Sequence, residues 1–117
     1  MNYHLGVDIG SVNAKLSLID ENGTVTSLDI ERITSGPKAA VNSLISRLAS
    51  RFSLDRIATA GVSGSGKGVI PREMSWMECG STLAIASGLL NTHPDTKTII
   101  QIGGQSSLVI DLEDGLR

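Results

Sequence analysis

The chain has 117 residues, with 10 basic and 12 acidic side chains, a formal net charge of −2, 40% hydrophobic residues, 13 glycines and one cysteine. That length fits one small domain, and the near-neutral charge leaves no electrostatic footprint for nucleic acid or an anionic membrane. A single cysteine excludes an intramolecular disulfide framework and suits a reducing, cytoplasmic setting. No apolar run reaches the roughly 18 residues of a spanning helix, and the opening Met-Asn-Tyr-His lacks the regions of a signal peptide.

Tyr3 to Gly10 is expected to be a short apolar strand ending in a glycine turn. Ala14 to Asp20 and Thr24 to Glu31 follow, joined through Asn22-Gly23, whose tolerance of positive φ predicts a type I′ hairpin. Leu16 and Leu18 alternate with Lys15 and Ser17, as Leu28 and Ile30 do with Asp29 and Glu31, so three antiparallel strands are expected. Ser35-Gly36-Pro37 predicts a helix start, and Val41, Leu44, Ile45, Leu48 and Phe52 make one apolar stripe behind it. Arg56 to Val62 reads as a buried strand leading into the glycine-rich stretch Gly61 to Gly68. A second helix is expected from about Arg72 to Leu90, with Met74, Trp76 and Met77 packing in its first turns and Cys79 a buried structural thiol mid-helix. Thr98 to Ile102 and Ser107 to Leu112 close as two strands. The fold class is α/β, in the order βββαβα and then a ββ hairpin.

Asp8-Ile9-Gly10-Ser11 and Gln101-Ile102-Gly103-Gly104 look like two copies of one hairpin. Each follows an apolar strand, and the spacing from turn glycine to turn glycine is 13 residues (Gly10 to Gly23) and 12 (Gly103 to Gly115). The repeat suggests a first subdomain over 1–97 and the opening hairpin of a second over 98–117, as in the front half of a longer protein. Such a hairpin would either add strands to the first sheet or leave an exposed edge through which two chains could pair as a homodimer.

Glycine turns at strand ends have a chemical use. They let backbone N–H groups approach a phosphate, the Ser11 hydroxyl adds a donor, and Asp8 is suited to hold Mg²⁺ through water. Lys15 can add positive charge, although on an alternating strand it is equally placed to face solvent. The plainer alternative is an ordinary tight turn with a surface aspartate. Gly61 to Lys67 also matches the first seven positions of a P-loop, but Gly68 stands where Ser or Thr must reach Mg²⁺, and Pro71 would deny the following helix an N–H. A glycine-rich loop bordering a cleft is the better expectation. His4 and His93 have no ligand spacing and are expected at the surface or capping an element.

Gly6-Val7-Asp8-Ile9-Gly10-Ser11 with Lys15, then Ala60-Gly61-Val62-Ser63-Gly64 and Ile102-Gly103-Gly104-Gln105, resembles the sugar kinase/Hsp70/actin-type ATPase superfamily. Within it the chain is most similar to activators of 2-hydroxyacyl-CoA dehydratases and the ATPase subunits of benzoyl-CoA reductases, from about Leu5 to Gly115. The resemblance implies a ribonuclease H-like fold, duplicated in the full protein, with MgATP or MgADP in the cleft between the copies. It implies Asp8, Gly10, Ser11 and Lys15 as the first phosphate loop and Gly103, Gly104 and Gln105 as the second. It further implies a homodimer bridged by one [4Fe–4S] cluster, with ATP hydrolysis driving an electron to a dehydratase or reductase component.

Three positions depart from that pattern. Gln101 and Ser106 stand where the resemblance implies aspartates that position metal or attacking water, and Thr82 stands in place of a helical histidine. The cluster-ligating cysteines are implied downstream of Arg117, so these residues are not expected to carry the cluster. The adenine pocket is implied mainly in the second half, so these residues alone are expected to hydrolyse nothing. A non-hydrolysing structural or interaction module of the same fold is the alternative.

Overall fold

β1 (Tyr3–Ile9) buries Leu5, Val7 and Ile9 on one face and sets His4, Gly6 and Asp8 on the other. β2 (Asn13–Asp20) runs antiparallel to it, with Leu18, Leu16 and Ala14 opposite Leu5, Val7 and Ile9, which makes the buried face continuous across both strands. A slip of one residue would turn all six side chains to the other face, so burial specifies the register. The computed structural model describes residues 2–66, 68, 76–102 and 107–112 and divides into two compact units, Met1–Cys79 and Gly80–Arg117.

In the first unit β3 (Val25–Arg32) extends β2 antiparallel, β4 (Ile57–Ser63) pairs parallel with β1, and β5 (Trp76–Glu78) pairs parallel with β4, in the order β3-β2-β1-β4-β5. α1 (Pro37–Ala49) covers the apolar face with Ala40, Val41, Leu44 and Leu48, and Leu44 and Leu48 are wholly buried. Each of those leucines contributes about 1.5–3 kcal/mol by leaving water. The helix starts as expected, with Pro37 in its first turn behind Gly36 at φ 94°.

Three local expectations are corrected. The β2–β3 turn is not type I′: Gly23 alone has positive φ (81°), the Asp20 N–H donates to the Thr24 carbonyl at 2.9 Å, and the loop therefore has three residues. The Asp20 carboxylate explains the choice, because it accepts the N–H groups of both Asn22 and Thr24 and so holds the tighter alternative off. Trp76, Met77 and Glu78 form β5 rather than the first turns of a helix, since pairing with Ala60, Gly61 and Val62 overrides their local preference. Cys79 follows β5, half-buried, with its N–H donated to the Val62 carbonyl, so it is not a mid-helix thiol.

β3 also presents its faces opposite to what an apolar alternation suggests. Leu28 and Ile30 are 70% and 54% exposed, whereas Ser27, Asp29 and Glu31 lie opposite Leu18, Leu16 and Ala14, on the face that α1 covers. Arg47 of α1 meets them, bonding the Asp29 and Glu31 carboxylates at 2.7 and 2.8 Å.

In the second unit α2 (Ser81–Thr92) packs with a hairpin of β6 (Thr98–Ile102) and β7 (Ser107–Asp111), burying Ala86, Ile99, Ile110 and Leu112. Among the described residues the hairpin is a two-stranded sheet of its own. Compactness groups α2 with this hairpin, whereas the repeat in the sequence draws its line at 97/98. Among the described residues no helix is long and apolar enough to cross a membrane.

Candidate functional site

The C-terminal ends of β1 and β4 lie side by side, with Asp8 and Ser63 at the same register position. Adjacent parallel strands ending together are where open α/β sheets place their ligands, because the loops beyond them diverge. Asp8 is half-buried on the face away from the core. Ser63 Oγ donates to Asp8 Oδ1 at 2.9 Å. Ser63 is only 8% exposed, so its hydroxyl needs that partner, and the bond fixes the carboxylate.

The loop after β4 is seated on the end of β1. Gly64 has φ 96°, and a Cβ there would lie 2.3 Å from the Ile9 carbonyl oxygen and 2.8 Å from Asp8 Oδ1. Gly66 donates its N–H to the same Ile9 carbonyl at 2.9 Å. No other residue type fits the approach at position 64. This contact also argues against a P-loop, because the Gly66 N–H, which such a loop would aim at phosphate, is already committed to Ile9. Lys67 and Pro71 lie outside the described residues.

Across the sheet, Lys15 stands opposite Asp8 on β2, exposed. The connecting turn closes through the Gly10 N–H to the Asn13 carbonyl at 2.9 Å and leaves Ser11 and Val12 exposed. Asp8, Gly10, Ser11 and Lys15 are thus gathered at one corner of the first unit. Gly103, Gly104 and Gln105 lie outside the described residues, while Gln101 is exposed on β6.

The corner suits Mg²⁺ held through water. Among the described residues no three His, Cys, Asp or Glu side chains cluster as a metal cage, but Mg²⁺ with a nucleotide asks for only one or two carboxylates, and Asp8 keeps acceptor capacity beyond its bond to Ser63. The residues do not fit an iron–sulfur cluster, which takes four cysteine thiolates, because the chain has one. The histidines lie elsewhere. His4 Nδ1 lies 2.7 Å from Thr59 Oγ1, and His93 caps the end of α2. Ser63 is the site residue that sequence reasoning did not single out, although it lies within the Ala60 to Gly64 stretch that carries part of the resemblance.

No protein-family model matches the chain. It is 26% identical to the (R)-2-hydroxyglutaryl-CoA dehydratase activating ATPase of Acidaminococcus fermentans, over 97% of this chain and 44% of that protein. It is 25% identical to the activator of lactoyl-CoA dehydratase of Anaerotignum propionicum, over 96% of this chain and 43% of that one. Among solved structures, the activator of the 2-hydroxyisocaproyl-CoA dehydratase from Clostridium difficile with bound ADPNP matches with TM-score 0.77 at 24% identity, covering 95% of this chain and 41% of that one. The chain spans less than half the length of these relatives. The resemblance to dehydratase activators is thus found in sequence as well as in fold, and the fold is that of the actin-like ATPases.

Proposed function

We propose that this chain supplies the first phosphate-binding corner of an ATP site in an ATP-dependent activator of a CoA-linked dehydratase. The observation that carries the reading is the Asp8 carboxylate, held by buried Ser63 at the paired ends of β1 and β4 and flanked by exposed Lys15 and Ser11. The relatives are named as activators of such dehydratases, and one neighbour holds an ATP analogue.

In this reading the Gly10–Ser11 turn offers an N–H and a hydroxyl to phosphate, and Lys15 adds a cation on the same face. Asp8 holds the nucleotide's Mg²⁺ through water, and the ion, when bound, offsets charge on the phosphate oxygens. Gly103, Gly104 and Gln105 supply the second phosphate loop of such a site. A cytoplasmic homodimer that passes an electron to a dehydratase or reductase component completes the proposal for a whole protein of this kind. The bridging [4Fe–4S] cluster then depends on cysteines other than Cys79.

A second reading is a module of the same fold that binds without hydrolysing. Gln101 and Ser106 favour it, because each lacks the carboxylate needed to position metal or attacking water.

Calorimetric titration of MgATP and MgADP, with Asp8→Ala and Lys67→Ala in parallel, tests the site. Binding lost in Asp8→Ala and kept in Lys67→Ala is the expected result. The reverse pattern would restore the P-loop reading. Binding without steady turnover would favour the non-hydrolysing module.

A further inference from the structure

Two features of the β4 end converge on a single oxygen. Ser63 Oγ donates to Asp8 Oδ1 at 2.9 Å, and the absent side chain of Gly64 leaves open the space in which a Cβ would press to 2.8 Å of that same atom. Ser63 is buried, its backbone is held in register with Asp8, and the following loop is tied down by the Gly66 N–H on the Ile9 carbonyl. A half-buried carboxylate on a strand end would otherwise sample several rotamers, and holding one of them means that less freedom is lost when an ion arrives.

We infer that Ser63 is a positioning residue for divalent metal: its hydroxyl anchors Oδ1 of Asp8 so that the remaining acceptor sites of the carboxylate are presented, already oriented, to the water shell of a nucleotide-bound Mg²⁺. The inference rests on the nucleotide reading above and adds to it a residue that touches neither nucleotide nor metal. The second shell of a hydrated ion is sensitive to such orientation, because each carboxylate oxygen must meet a water whose direction the ion dictates.

The test is a Mg²⁺ titration of ATP binding by calorimetry, run on the wild-type chain, Ser63→Ala, Ser63→Thr and Asp8→Ala, with thermal melts to establish that each is folded. Ser63→Ala is expected to raise the Mg²⁺ concentration for half-maximal binding about tenfold, the size of one hydrogen bond to a charged group, while binding of ATP without metal is unchanged. Ser63→Thr, which keeps the hydroxyl, restores the wild-type requirement. Equal weakening of binding with and without Mg²⁺ would overturn the inference by making Ser63 merely structural, as would equal impairment of the Ala and Thr variants. An unchanged Mg²⁺ requirement in Ser63→Ala, with loss in Asp8→Ala, would overturn the role of Ser63 and leave the site standing. Absence of nucleotide binding by the wild-type chain, or indifference to Asp8→Ala, would remove the site and the inference with it.

Discussion

Lys15 stands directly across β1 and β2 from Asp8, on the same face of the sheet, yet no ion pair within 4.0 Å joins them; among the described residues both ion pairs belong to Arg47. A cation beside a carboxylate but unpaired with it remains available to a third, anionic group. Lys15→Gln is therefore expected to weaken MgATP binding by about tenfold at low salt, with the difference shrinking as added salt screens the charge. Calorimetry at two salt concentrations checks this. A loss independent of salt would assign Lys15 to packing instead.

The glycines separate seat from strain. Gly36→Ala places a side chain at φ 94° and ψ 158° with nothing within 4 Å, and should cost about 1–3 kcal/mol from backbone conformation alone. Gly64→Ala adds a collision with the Ile9 carbonyl at 2.3 Å to a similar φ, and so should cost clearly more. Gly88→Ala lies within α2, where a Cβ meets nothing within 4 Å, and should stabilise by about 0.5–1 kcal/mol. Urea unfolding ranks the three. Equal costs for the first two would mean that the glycine loop is not seated on β1.

Arg47 guards the exposed edge of the sheet. At Ile30 the carbonyl accepts from the Arg47 guanidinium and the N–H donates to the Asp29 carboxylate, so neither is left for a foreign strand. The hydrogen bond from Arg47 holds the Asp29 carboxyl below its usual 3.8. A depressed folded-state value makes this contribution fully present above about pH 4 and lost as pH falls through the folded-state value. Arg47→Ala should therefore lower Tm at pH 7, with the gap to wild type closing at lower pH. The same variant should also associate more readily in light scattering as protein concentration rises. A gap independent of pH would refute the Asp29 linkage.

The opening sheet is legible because burial and turn chemistry agree there: Leu5, Val7 and Ile9 alternate, Asp20 to Thr24 closes a hairpin, and Gly36-Pro37 starts a helix. Alternation alone does not say which face is covered. On β3 the register sets Ser27 and Asp29 opposite Leu18 and Leu16, where Arg51, just beyond α1, bonds Ser27 and Arg47 of α1 bonds Asp29, which leaves Leu28 and Ile30 outside. β5 is equally hidden, since three residues become a strand only through pairing with Ala60 to Val62. The site divides in the same way. Asp8 and its glycine turn are visible in the sequence, whereas the hydroxyl of Ser63, 55 positions away, gains meaning only from the parallel pairing of β1 with β4.

That reversal of faces has its own measurable consequence. Leu16→Ser buries an unpartnered hydroxyl in the core and should cost about 2–5 kcal/mol, whereas Leu28→Ser should stay within about 0.5 kcal/mol of wild type. Urea unfolding of both variants measures it. Comparable losses would mean that β3 presents Leu28 to the core.

The most direct measurement is a ¹H–¹⁵N correlation spectrum of the uniformly labelled chain with and without MgATP. Shifts confined to Asp8, Gly10, Ser11, Lys15 and the loop from Ser63 to Gly66 are the expected result, and they should vanish in Asp8→Ala. An unchanged spectrum, or shifts centred away from the ends of β1 and β4, would contradict the assignment of this corner to phosphate.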